Sequence, residues 1–589
     1  MSDPRADQAT LAQAYNQTVS LHEQGRLVEA EAGYRRILTA IPDQADSLHL
    51  LGLLLIQTGR VEPGLAMVDR SLVLAPKLVD AHFNRAAALL QLGRFDAAVE
   101  GFDNTLALAP THLAALYSRS LALAQAGRFE AALMAFDAVL AVQPGHIDAL
   151  MNRAVTLDKL GRAAEALSAF DAVLALQPDD ADAEFGRGGA LKALGRLEEA
   201  HASFAKVLAL RPGWPSALVN RGVVLKLLGR PRDATADYDR ALAAAPGHVE
   251  ALISRGAALV DLGRLDEAMR DYDAALQGDR GNPLAVLNRS LVMLATGRFE
   301  EGWPRYERRR DLLAPAAPPF RPWDGQAELK DRSLFLRWEQ GLGDTLQFYR
   351  YAKLAADRGA RVTLSSQAAL RPFFEGQDRR IVIVGPDETP SQADVYADLM
   401  SLAGLFGTTT STVPLADGYL AADPASQAAW SQRLGDRVKP RIGLVWSGAA
   451  GHANDRNRSA SLAALAPLFA FDADWFVLQK DIRPADRETL AGLTSVTLIE
   501  EAVADFEQTA ALIANLDLVI AVDTSIAHLA AAMGKPTWIL LSTASDWRWL
   551  LEREDSPWYA SARLFRQAVA HDWSELAERV RAELARRFA

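Results

Sequence analysis

Small, aromatic and turn-forming residues recur every 34 positions through the first half of the chain. Each interval holds two stretches of helical periodicity on either side of a Gly-Arg pair, and a small alanine follows the glycine by five positions, as at Ala98 and Ala132. Glycine tolerates the left-handed conformation that ends a helix, and proline stops the next helix. The pattern predicts one helical hairpin per interval, stacked on its neighbours in a solenoid that binds polypeptides.

Three positions mark most units of this repeat: the Gly-Arg pair in all nine, an aromatic in eight and a closing proline in seven. The aromatic residue is expected to fill the space between hairpins, and the alanine to let the second helix of each hairpin approach its neighbour. The Gly-Arg pairs begin at Gly25, Gly59, Gly93, Gly127, Gly161, Gly195, Gly229, Gly263 and Gly297; the aromatics are Tyr34, Phe102, Phe136, Phe170, Phe204, Tyr238, Tyr272 and Tyr306; the closing prolines are Pro42, Pro76, Pro110, Pro144, Pro178, Pro212 and Pro246.

The pattern changes after Arg332. Short apolar runs now alternate with helical stretches, which predicts parallel sheets covered by helices on both faces, with a ligand at the carboxyl ends of the strands. The predicted strands are Ser333–Arg337, Arg361–Leu364, Arg380–Val384, Ile442–Trp446, Trp475–Leu478, Leu518–Val522 and Thr537–Leu541.

These patterns divide the chain into four segments. We predict an all-α solenoid of about nine repeats over residues 8–310 and a stiff proline-rich linker over residues 311–330. A polar break around Ser431–Pro440 then separates two α/β lobes, residues 331–436 and residues 437–589, the second ending in a helix.

Composition narrows the classes of protein that fit. The chain has 589 residues, a net charge of −11 and no cysteine. The charge argues against nucleic acid as a partner, and the absence of cysteine fits a reducing compartment. The N-terminus has no apolar signal core, and Asp517, Asp523 and Lys535 interrupt the longest apolar stretch, so we predict a cytoplasmic protein without a membrane span. No cofactor and no metal site are expected, because no acidic cluster is present.

A glycine-rich turn follows the first predicted strand of the α/β part. It reads Glu339-Gln-Gly341-Leu-Gly343-Asp344 and leads into a helix. Glycines at such a turn let a ligand approach the backbone, and the start of a helix favours an anion. Asp344 has two interpretations: a general base in the cleft, or an N-cap of the helix.

Polar residues follow the first two strands of the second lobe. Ser447, Arg456 and Arg458 lie in a loop of small and polar residues that suits phosphate recognition, although an ordinary surface loop has the same composition. Lys480 stands at the end of the next strand, where it is either a phosphate ligand or a solvated side chain.

The most informative motif is Val522-Asp523-Thr524-Ser525-Ile-Ala-His528, followed by an alanine-rich helix. Thr524, Ser525 and the free amides of the helix start are suited to holding a phosphate. Asp523 is placed to bond a sugar hydroxyl. His528 lies one turn further on, where it either reaches the same anion or is structural.

Polar side chains also recur along the first helix of the hairpins. Asn16, Asn84, Asn152, Asn220 and Asn288 occupy equivalent positions, and they either bond the backbone of an acceptor polypeptide or form a solvated polar face. An arginine follows in seven repeats, with an acid 18 residues after six of them. We expect ion pairs within each hairpin, with Arg187 left free for acceptor binding because its counterpart is Ala205.

Two resemblances follow from these motifs. The 34-residue unit resembles the tetratricopeptide repeat. GLGD after the first strand and D-T-S-x-x-H-L-A-A-A-x-G-x-P in the second lobe resemble the heptosyltransferase-type glycosyltransferases, whose GT-B fold has two Rossmann-like lobes. That resemblance implies that Asp344 is the catalytic base and that Asp523, Thr524 and His528 belong to the donor site.

The combination of the two parts resembles the O-GlcNAc transferase architecture and, more closely, bacterial fusions such as the flagellin glycosyltransferases. The latter resemblance implies a nonulosonic acid such as pseudaminic acid, carried on CMP, as the donor and flagellin as the acceptor. We therefore predict an inverting, metal-independent O-glycosyltransferase that modifies Ser or Thr of a protein. Its donor and phosphate site is expected to consist of Gly341, Gly343, Ser447, Arg458, Lys480, Asp523, Thr524, Ser525 and His528. Of these, Thr524, Ser525, His528, Arg458 and Lys480 are expected to hold the phosphate, and Asp523 to orient the donor. The alternatives are a non-catalytic adaptor or export chaperone with a remnant of the fold, and a lipopolysaccharide sugar transferase.

Overall fold

The computed structural model describes residues 4–313, 316–452 and 454–589. Its first part is a series of antiparallel helical hairpins. Their helices are α1 (Pro4–Glu23), α2 (Leu27–Ala40), α3 (Ala45–Gln57), α4 (Val61–Leu74), α5 (Val79–Gln91), α6 (Phe95–Leu108), α7 (Leu113–Gln125), α8 (Phe129–Val142), α9 (Ile147–Lys159), α10 (Ala163–Leu176), α11 (Ala181–Ala193), α12 (Leu197–Leu210), α13 (Pro215–Leu227), α14 (Pro231–Ala244), α15 (Val249–Asp261), α16 (Leu265–Gly278), α17 (Pro283–Ala295), α18 (Phe299–Tyr306) and α19 (Arg310–Leu313).

The recurring glycines end the first helix of each hairpin, as predicted. All nine have a φ between 70° and 81°, which is the left-handed region where a side chain is strained. In the third hairpin the amide of Arg94 donates a 2.9 Å hydrogen bond to the carbonyl of Leu89, which closes the helix end. The 34-residue spacing of glycine therefore fixes where each hairpin turns.

The recurring aromatic and alanine residues form the core between hairpins. Phe102 and Phe136 are fully buried, and so are Ala98 and Ala132. Close approach of the helices requires small residues: a Cβ on Gly101 would lie only 2.8 Å from the Cβ of Ala86. The predicted packing roles of both positions are confirmed.

Contacts group the chain into two compact units, residues 1–224 and residues 225–589. The first unit consists of α1–α12 and most of α13. The second unit contains the last repeats together with the α/β part, so the residue-310 end predicted for the solenoid lies inside this unit. Within the predicted linker, residues 314–315 lie outside the described residues.

The α/β part contains two parallel sheets with helices around them. Sheet one has the order β3-β2-β1-β4, and sheet two has the order β10-β9-β8-β5-β6-β7. The elements are β1 (Ser333–Arg337), α20 (Leu342–Asp357), β2 (Arg361–Ser365), α21 (Arg371–Glu375), β3 (Ile381–Val384), β4 (Val395–Asp398), α22 (Leu402–Leu405), α23 (Pro424–Leu434), β5 (Arg441–Val445), α24 (Asp455–Arg458), β6 (Asp474–Val477), α25 (Pro484–Ala491), β7 (Val496–Leu498), α26 (Phe506–Ala514), β8 (Leu518–Val522), α27 (Ser525–Ala532), β9 (Thr537–Leu541), β10 (Ala562–Arg566) and α28 (Trp573–Arg587).

All seven predicted strands are present to within one residue at each end, and β4, β7 and β10 join them. These three were not predicted because their apolar runs are short or carry charge: β7 has three residues, and β10 contains Arg563 and Arg566. All three lie at the edge of a sheet. The predicted fold class, a helical solenoid followed by two α/β lobes, is confirmed.

The ninth repeat is packed into the α/β core. Phe299, Trp303 and Tyr306 of α18 belong to the same buried cluster as Trp547 and Trp558. The indole of Trp303 donates a 2.9 Å hydrogen bond to the carbonyl of Thr408. This hairpin is therefore part of the second unit's core.

Within residues 4–313, 316–452 and 454–589, every helix is too short or too polar to span a membrane.

Candidate functional site

A cleft of about 800 Å³ opens where the carboxyl ends of strands from both sheets face each other. Sheet one contributes the turn between β1 and α20, and sheet two contributes the residues after β5, β6 and β8. All ten residues predicted for the catalytic and donor sites lie on its wall: Gly341, Gly343, Asp344, Ser447, Arg458, Lys480, Asp523, Thr524, Ser525 and His528. Their individual roles stay predictions.

Asp344 lies in the first turn of α20, with both carboxylate oxygens engaged. Gly341 is the N-cap, and its amide donates a 2.7 Å hydrogen bond to Oδ2 of Asp344. Oδ1 pairs with the guanidinium of Arg548. Asp344 is thus the third residue of the helix, where it accepts a bond from the cap, and the expected N-cap position belongs to Gly341.

Arg548 was missed by the reasoning from sequence. Its side chain is buried and lies between two carboxylates, Asp344 and Asp546, with a 2.7 Å contact to the latter. Its Nε donates a 2.6 Å hydrogen bond to Gln347. Burial acts to lower the pKa of Arg548, but the two carboxylates outweigh it and raise that pKa, so the residue is a permanent cation. In the sequence, Arg548 could have been found only through the Asp-Trp-Arg-Trp-Leu segment that contains it.

The corner of the cleft beside the start of α27 contains polar groups that lack a hydrogen-bond partner among the described residues. Within the described part of the chain, Ser447 Oγ, Arg458 Nε and Thr524 Oγ1 are buried atoms of the cleft wall without a hydrogen-bond partner. Thr524 is the N-cap of α27, yet its hydroxyl does not cap the helix. Buried polar atoms almost always find a partner, and helix starts favour anions, so this corner suits a phosphate.

Arg458 is placed in this corner by one hydrogen bond and by its packing against Gly448. Its Nη1 donates a 3.2 Å hydrogen bond to the backbone carbonyl of Asp523. The guanidinium lies against Gly448, where a Cβ would stand 2.5 Å from Nη2. The glycine after Ser447 is therefore needed to admit the arginine.

His528 is buried, and burial together with Arg548, Arg350 and Arg458 places its pKa well below the usual 6.5, so the ring is neutral. Nδ1 lies 2.9 Å from the hydroxyl of Tyr559, and the ring stacks on Trp549 at 5.2 Å between centroids. Nε2 lies 3.8 Å from Oδ1 of Asp523. The ring thus has a structural role on one side and faces the cleft on the other.

Asp523 is the most perturbed carboxyl group of the cleft. Its side chain is 19 % exposed. Burial, followed by the negative charge of Asp546, raises its pKa to about 6, although Arg548 and Arg458 act in the opposite direction. It therefore changes charge near neutral pH.

Two predicted cations of the phosphate pocket differ in position. Lys480 lines the cleft, and its Nζ donates a 3.4 Å hydrogen bond to the carbonyl of Ala504. Arg456 does not line the cleft: its Nη1 donates to the carbonyl of Leu227, 3.4 Å away, at the turn of the seventh repeat. The suggestion that Arg456 binds phosphate is wrong, because α24 directs it away from the strand ends.

A second cavity of about 750 Å³ adjoins the cleft. Helices α15–α17 of the eighth and ninth repeats form one side, including Asn288, and Trp547 and Leu551 form another. Four residues line both spaces: Gln340, Asn454, Asp546 and Arg548. The repeats therefore border a space that leads to Asp344.

The recurring asparagines of the hairpins are half-buried, except for the exposed Asn16, and three of them bond to the preceding repeat. Asn84 Nδ2 lies 2.9 Å from His49 Nε2, Asn152 donates to the Tyr117 hydroxyl at 3.1 Å, and Asn220 accepts from Lys192 at 2.6 Å. Their role towards an acceptor stays a prediction.

The recurring arginines pair with acids, but not with the acids predicted. Each of those named here pairs with the aspartate 16 residues earlier, on the preceding hairpin, as Arg153 does with Asp137 at 2.6 Å. Arg187, predicted to be free, pairs with Asp171 at 2.7 Å and donates to Ser203. The further pairs are Arg85–Asp69, Arg119–Asp103, Arg255–Asp239 and Arg289–Asp273.

Comparison with known proteins supports both parts of the chain. Tetratricopeptide repeat models match residues 49–112, 83–147, 123–184, 159–220 and 220–283. The model of glycosyltransferase family 9 (heptosyltransferase) matches residues 488–569, which include β8, α27 and Arg548. The chain thus joins tetratricopeptide repeats to a glycosyltransferase region, and the predicted resemblance to such fusions is confirmed.

The chain is similar to Protein FlbA of Caulobacter vibrioides (strain ATCC 19089 / CIP 103742 / CB 15), with 27 % identity over 294 residues. The match covers 45 % of this chain and 48 % of FlbA, so it spans about half of that relative.

Solved repeat proteins resemble part of the chain. YrrB, described as a TPR protein with an unusual peptide-binding site, is 24 % identical, and the match covers 31 % of this chain and 95 % of YrrB with a TM-score of 0.29. A protein of Thermus thermophilus, TTC0263, is described as a thermophilic TPR protein. It is 26 % identical over 30 % of this chain and 97 % of its own, with a TM-score of 0.27.

Proposed function

We propose that this fusion of tetratricopeptide repeats and a glycosyltransferase region transfers a sugar from a nucleotide donor to a hydroxyl group of a protein held by the repeats. The observation that carries the proposal is the corner of the cleft where Ser447 Oγ, Arg458 Nε and Thr524 Oγ1 are buried without partners among the described residues, beside the start of α27. Such a corner is suited to the phosphate of a nucleotide sugar.

In this proposal the protein itself neutralises the leaving phosphate. Arg458 supplies a fixed positive charge, the hydroxyls of Ser447 and Thr524 donate hydrogen bonds, and the free amides at the start of α27 add their dipole. Neutral His528 presents Nε2 to the same corner. Asp523 accepts hydrogen bonds from hydroxyls of the donor and so orients it.

The chemical step is a displacement with inversion. The acceptor hydroxyl oxygen forms a bond to the anomeric carbon, the bond from that carbon to the phosphate oxygen breaks, and Asp344 takes the hydroxyl proton. A carboxylate has about four lone-pair sites, so one bond to Gly341 and one ion pair with Arg548 leave room to accept a proton.

The acceptor reaches the cleft through the second cavity. That space is bordered by α15–α17 on the repeat side and joins the cleft at Gln340 and Arg548. An extended segment lying there would pass Asn288 before it reaches Asp344. Half-buried amides recur at the equivalent position of earlier repeats, at Asn84, Asn152 and Asn220.

The donor and the acceptor are named from resemblance to the flagellin glycosyltransferases. We propose a nonulosonic acid such as pseudaminic acid, carried on CMP, and flagellin as the protein acceptor, in the cytoplasm and without a further cofactor. The test uses the purified full chain with CMP-linked and other nucleotide-linked sugars. Intact-mass spectrometry of flagellin reports transfer, and nucleotide release reports donor cleavage. A lack of both with every donor would contradict the proposal.

One observation favours a non-catalytic adaptor instead. Both oxygens of Asp344 are engaged by protein groups, as they would be if the residue only stabilised the helix start. An adaptor need neither bind a nucleotide nor cleave a donor. Calorimetric titration with CMP and the release assay therefore distinguish the two functions.

A further inference from the structure

Asp344 is held from two directions by groups that come from distant parts of the chain. On one side the amide of Gly341 binds Oδ2, and on the other Arg548, 204 residues away in sequence, binds Oδ1. We propose that Arg548 is a positioning residue, which fixes the carboxylate of Asp344 in the orientation that proton transfer requires. This inference rests on the proposed function and adds a residue to it.

Arg548 is itself fixed on every side. Asp546 and Gln347 engage its other nitrogens at 2.7 and 2.6 Å, and Gln347 is fully buried. The plane of the guanidinium lies over the ring of Trp547, with its carbon 4.7 Å from the ring centroid. A side chain held at so many points has little rotational freedom, so it can hold a partner in one orientation.

The ninth repeat completes this arrangement. Trp303 and Tyr306 of α18 pack against Trp547, with centroid distances of 5.4 and 6.0 Å. On the opposite side of Asp344, the hydroxyl of Tyr306 lies 3.5 Å from Nε2 of Gln340, the residue before the N-cap. The last hairpin therefore supports both partners of Asp344: the turn that carries Gly341 and the segment that carries Arg548.

This geometry predicts a defined kinetic effect. A carboxylate that rotates freely is seldom aligned with the acceptor hydroxyl, so loss of Arg548 should lower kcat, while donor binding persists at Ser447, Arg458 and Thr524. Because Arg548 acts through Asp344, its removal should have no effect once Asp344 can no longer accept a proton. Lysine keeps the charge but not the planar fork, so it should restore the rate only in part.

The experiment compares full-length Arg548→Gln, Arg548→Lys, Asp344→Asn and the double variant Asp344→Asn/Arg548→Gln. Arg553→Gln is the matched control, because that arginine lies in the same segment but forms an exposed pair with Asp555. The measurements are kcat and KM of transfer, CMP binding by calorimetry and the midpoint of thermal unfolding.

We expect Arg548→Gln, assayed at pH 8.5 so that Asp523 stays charged without Arg548, to lower kcat about 10²-fold with donor KM and CMP affinity within about threefold of the parent at the same pH. The kcat of Arg548→Lys should lie between those of the parent and Arg548→Gln, and the kcat of Arg553→Gln should equal that of the parent. The double variant should be no slower than Asp344→Asn alone. Unchanged kcat in Arg548→Gln, a rise in donor KM at constant kcat, or a double variant that multiplies the two losses would overturn the inference. If Arg548→Gln is unfolded, Arg548→Lys alone decides through the same kcat and KM comparison. Absence of transfer by the parent would instead contradict the proposed function.

Discussion

Gly343, the residue before Asp344, approaches His528 across the cleft from the other lobe, at a contact that only glycine permits. A Cβ on Gly343 would lie 2.8 Å from Cδ2 of His528. Asp344 and His528 differ in their surroundings: Asp344 pairs with a cation, whereas His528 is kept neutral because burial and neighbouring arginines lower its pKa. At the scale of residues, the cleft therefore contains an arginine-paired carboxyl group and a neutral imidazole.

Replacing Asp344 by Asn should slow transfer strongly while leaving the fold intact. Asparagine keeps the oxygen that accepts the bond from Gly341, but it takes up no proton at neutral pH. We expect the rate of transfer to fall by about 10²–10⁴-fold with CMP affinity unchanged. The assay is the mass shift of the acceptor. Asp555→Asn, at an exposed ion pair, serves as control, and near-normal transfer by Asp344→Asn would reject the assignment as base.

Donor affinity should depend on pH through Asp523. Its pKa of about 6 means that the carboxylate is charged at pH 7.5 and largely protonated at pH 5. The charged form accepts hydroxyl hydrogen bonds, so affinity should fall as the pH drops through about 6. The charges that face it are those of Asp546, Arg548 and Arg458, with neutral His528 beside them. Titration calorimetry at several pH values should show this inflection, and Asp523→Asn should remove it.

The same shift has a consequence for stability. The folded pKa lies above the usual 3.8, so the buried charge destabilises the protein above pH 6, and this cost disappears as the pH falls towards 4. A pKa rise of this size corresponds to about 2–3 kcal/mol. Urea unfolding of the parent and of Asp523→Asn at pH 5 and 7.5 measures this cost. If the free energy of unfolding depended equally on pH in both proteins, this account would be contradicted.

At the scale of elements, the ion pairs of the repeats join successive hairpins. Arg153 pairs with half-exposed Asp137. Arg187 also donates a 2.7 Å hydrogen bond to the buried Ser203 and lies 3.6 Å from the buried Glu184, which Lys206 contacts at 3.1 Å. We expect Arg153→Ala to cost less than about 1 kcal/mol and Arg187→Ala about 1–3 kcal/mol, because the second change removes the bond to Ser203 and one of the two cations beside Glu184.

If Arg187 had no partner, Arg187→Ala would cost less stability than Arg153→Ala, which is the reverse of this expectation. Thermal unfolding of the two variants in the full chain provides the comparison. A loss for Arg153→Ala that equals or exceeds the loss for Arg187→Ala would show that the buried Glu184 does not depend on Arg187.

The ninth repeat is joined to the first lobe by a buried ion pair. Arg309 is 1 % exposed and lies 2.8 Å from Glu339, which is 8 % exposed. Burial raises the pKa of Glu339, and Arg309 opposes that rise. Arg309→Met should therefore cost about 3–5 kcal/mol, because it leaves a buried carboxylate without its cation. Arg308→Met is the control, since that arginine is 45 % exposed. Similar urea midpoints for the two variants would refute this role.

At the scale of the whole molecule, the compact unit of residues 225–589 should be the smallest catalytic fragment. It retains the last repeats, including α18, which packs on Trp547, and Arg309, which pairs with Glu339. A fragment of residues 326–589 would expose that core. We expect residues 225–589 to cleave the donor but to bind the acceptor at least about tenfold more weakly than the full chain.

Residues 326–589 should be unfolded and inactive. Circular dichroism and nucleotide release measure both fragments. Equal activity of the shorter fragment would show that the ninth repeat is dispensable for the site.

Local patterns in the sequence were sufficient to predict the short-range features of this protein. The glycines fixed where each hairpin turns, because only glycine takes the left-handed conformation without strain. Alternating apolar runs located seven of the ten strands. The ten predicted site residues share one cleft because each follows a parallel strand, and the carboxyl ends of such strands meet at one edge.

Tertiary structure alone decided which of these residues are partners. In a 34-residue repeat, an acid 18 positions after one arginine is also 16 positions before the next, so the sequence does not distinguish a pair within a hairpin from one between hairpins. Only the stacking of the helices selected the second, as in Arg153–Asp137. The pairing of Asp344 with Arg548 and the burial of Trp303 likewise join segments far apart in the chain. Such contacts depend on how the lobes and the last hairpin pack, which no local pattern encodes.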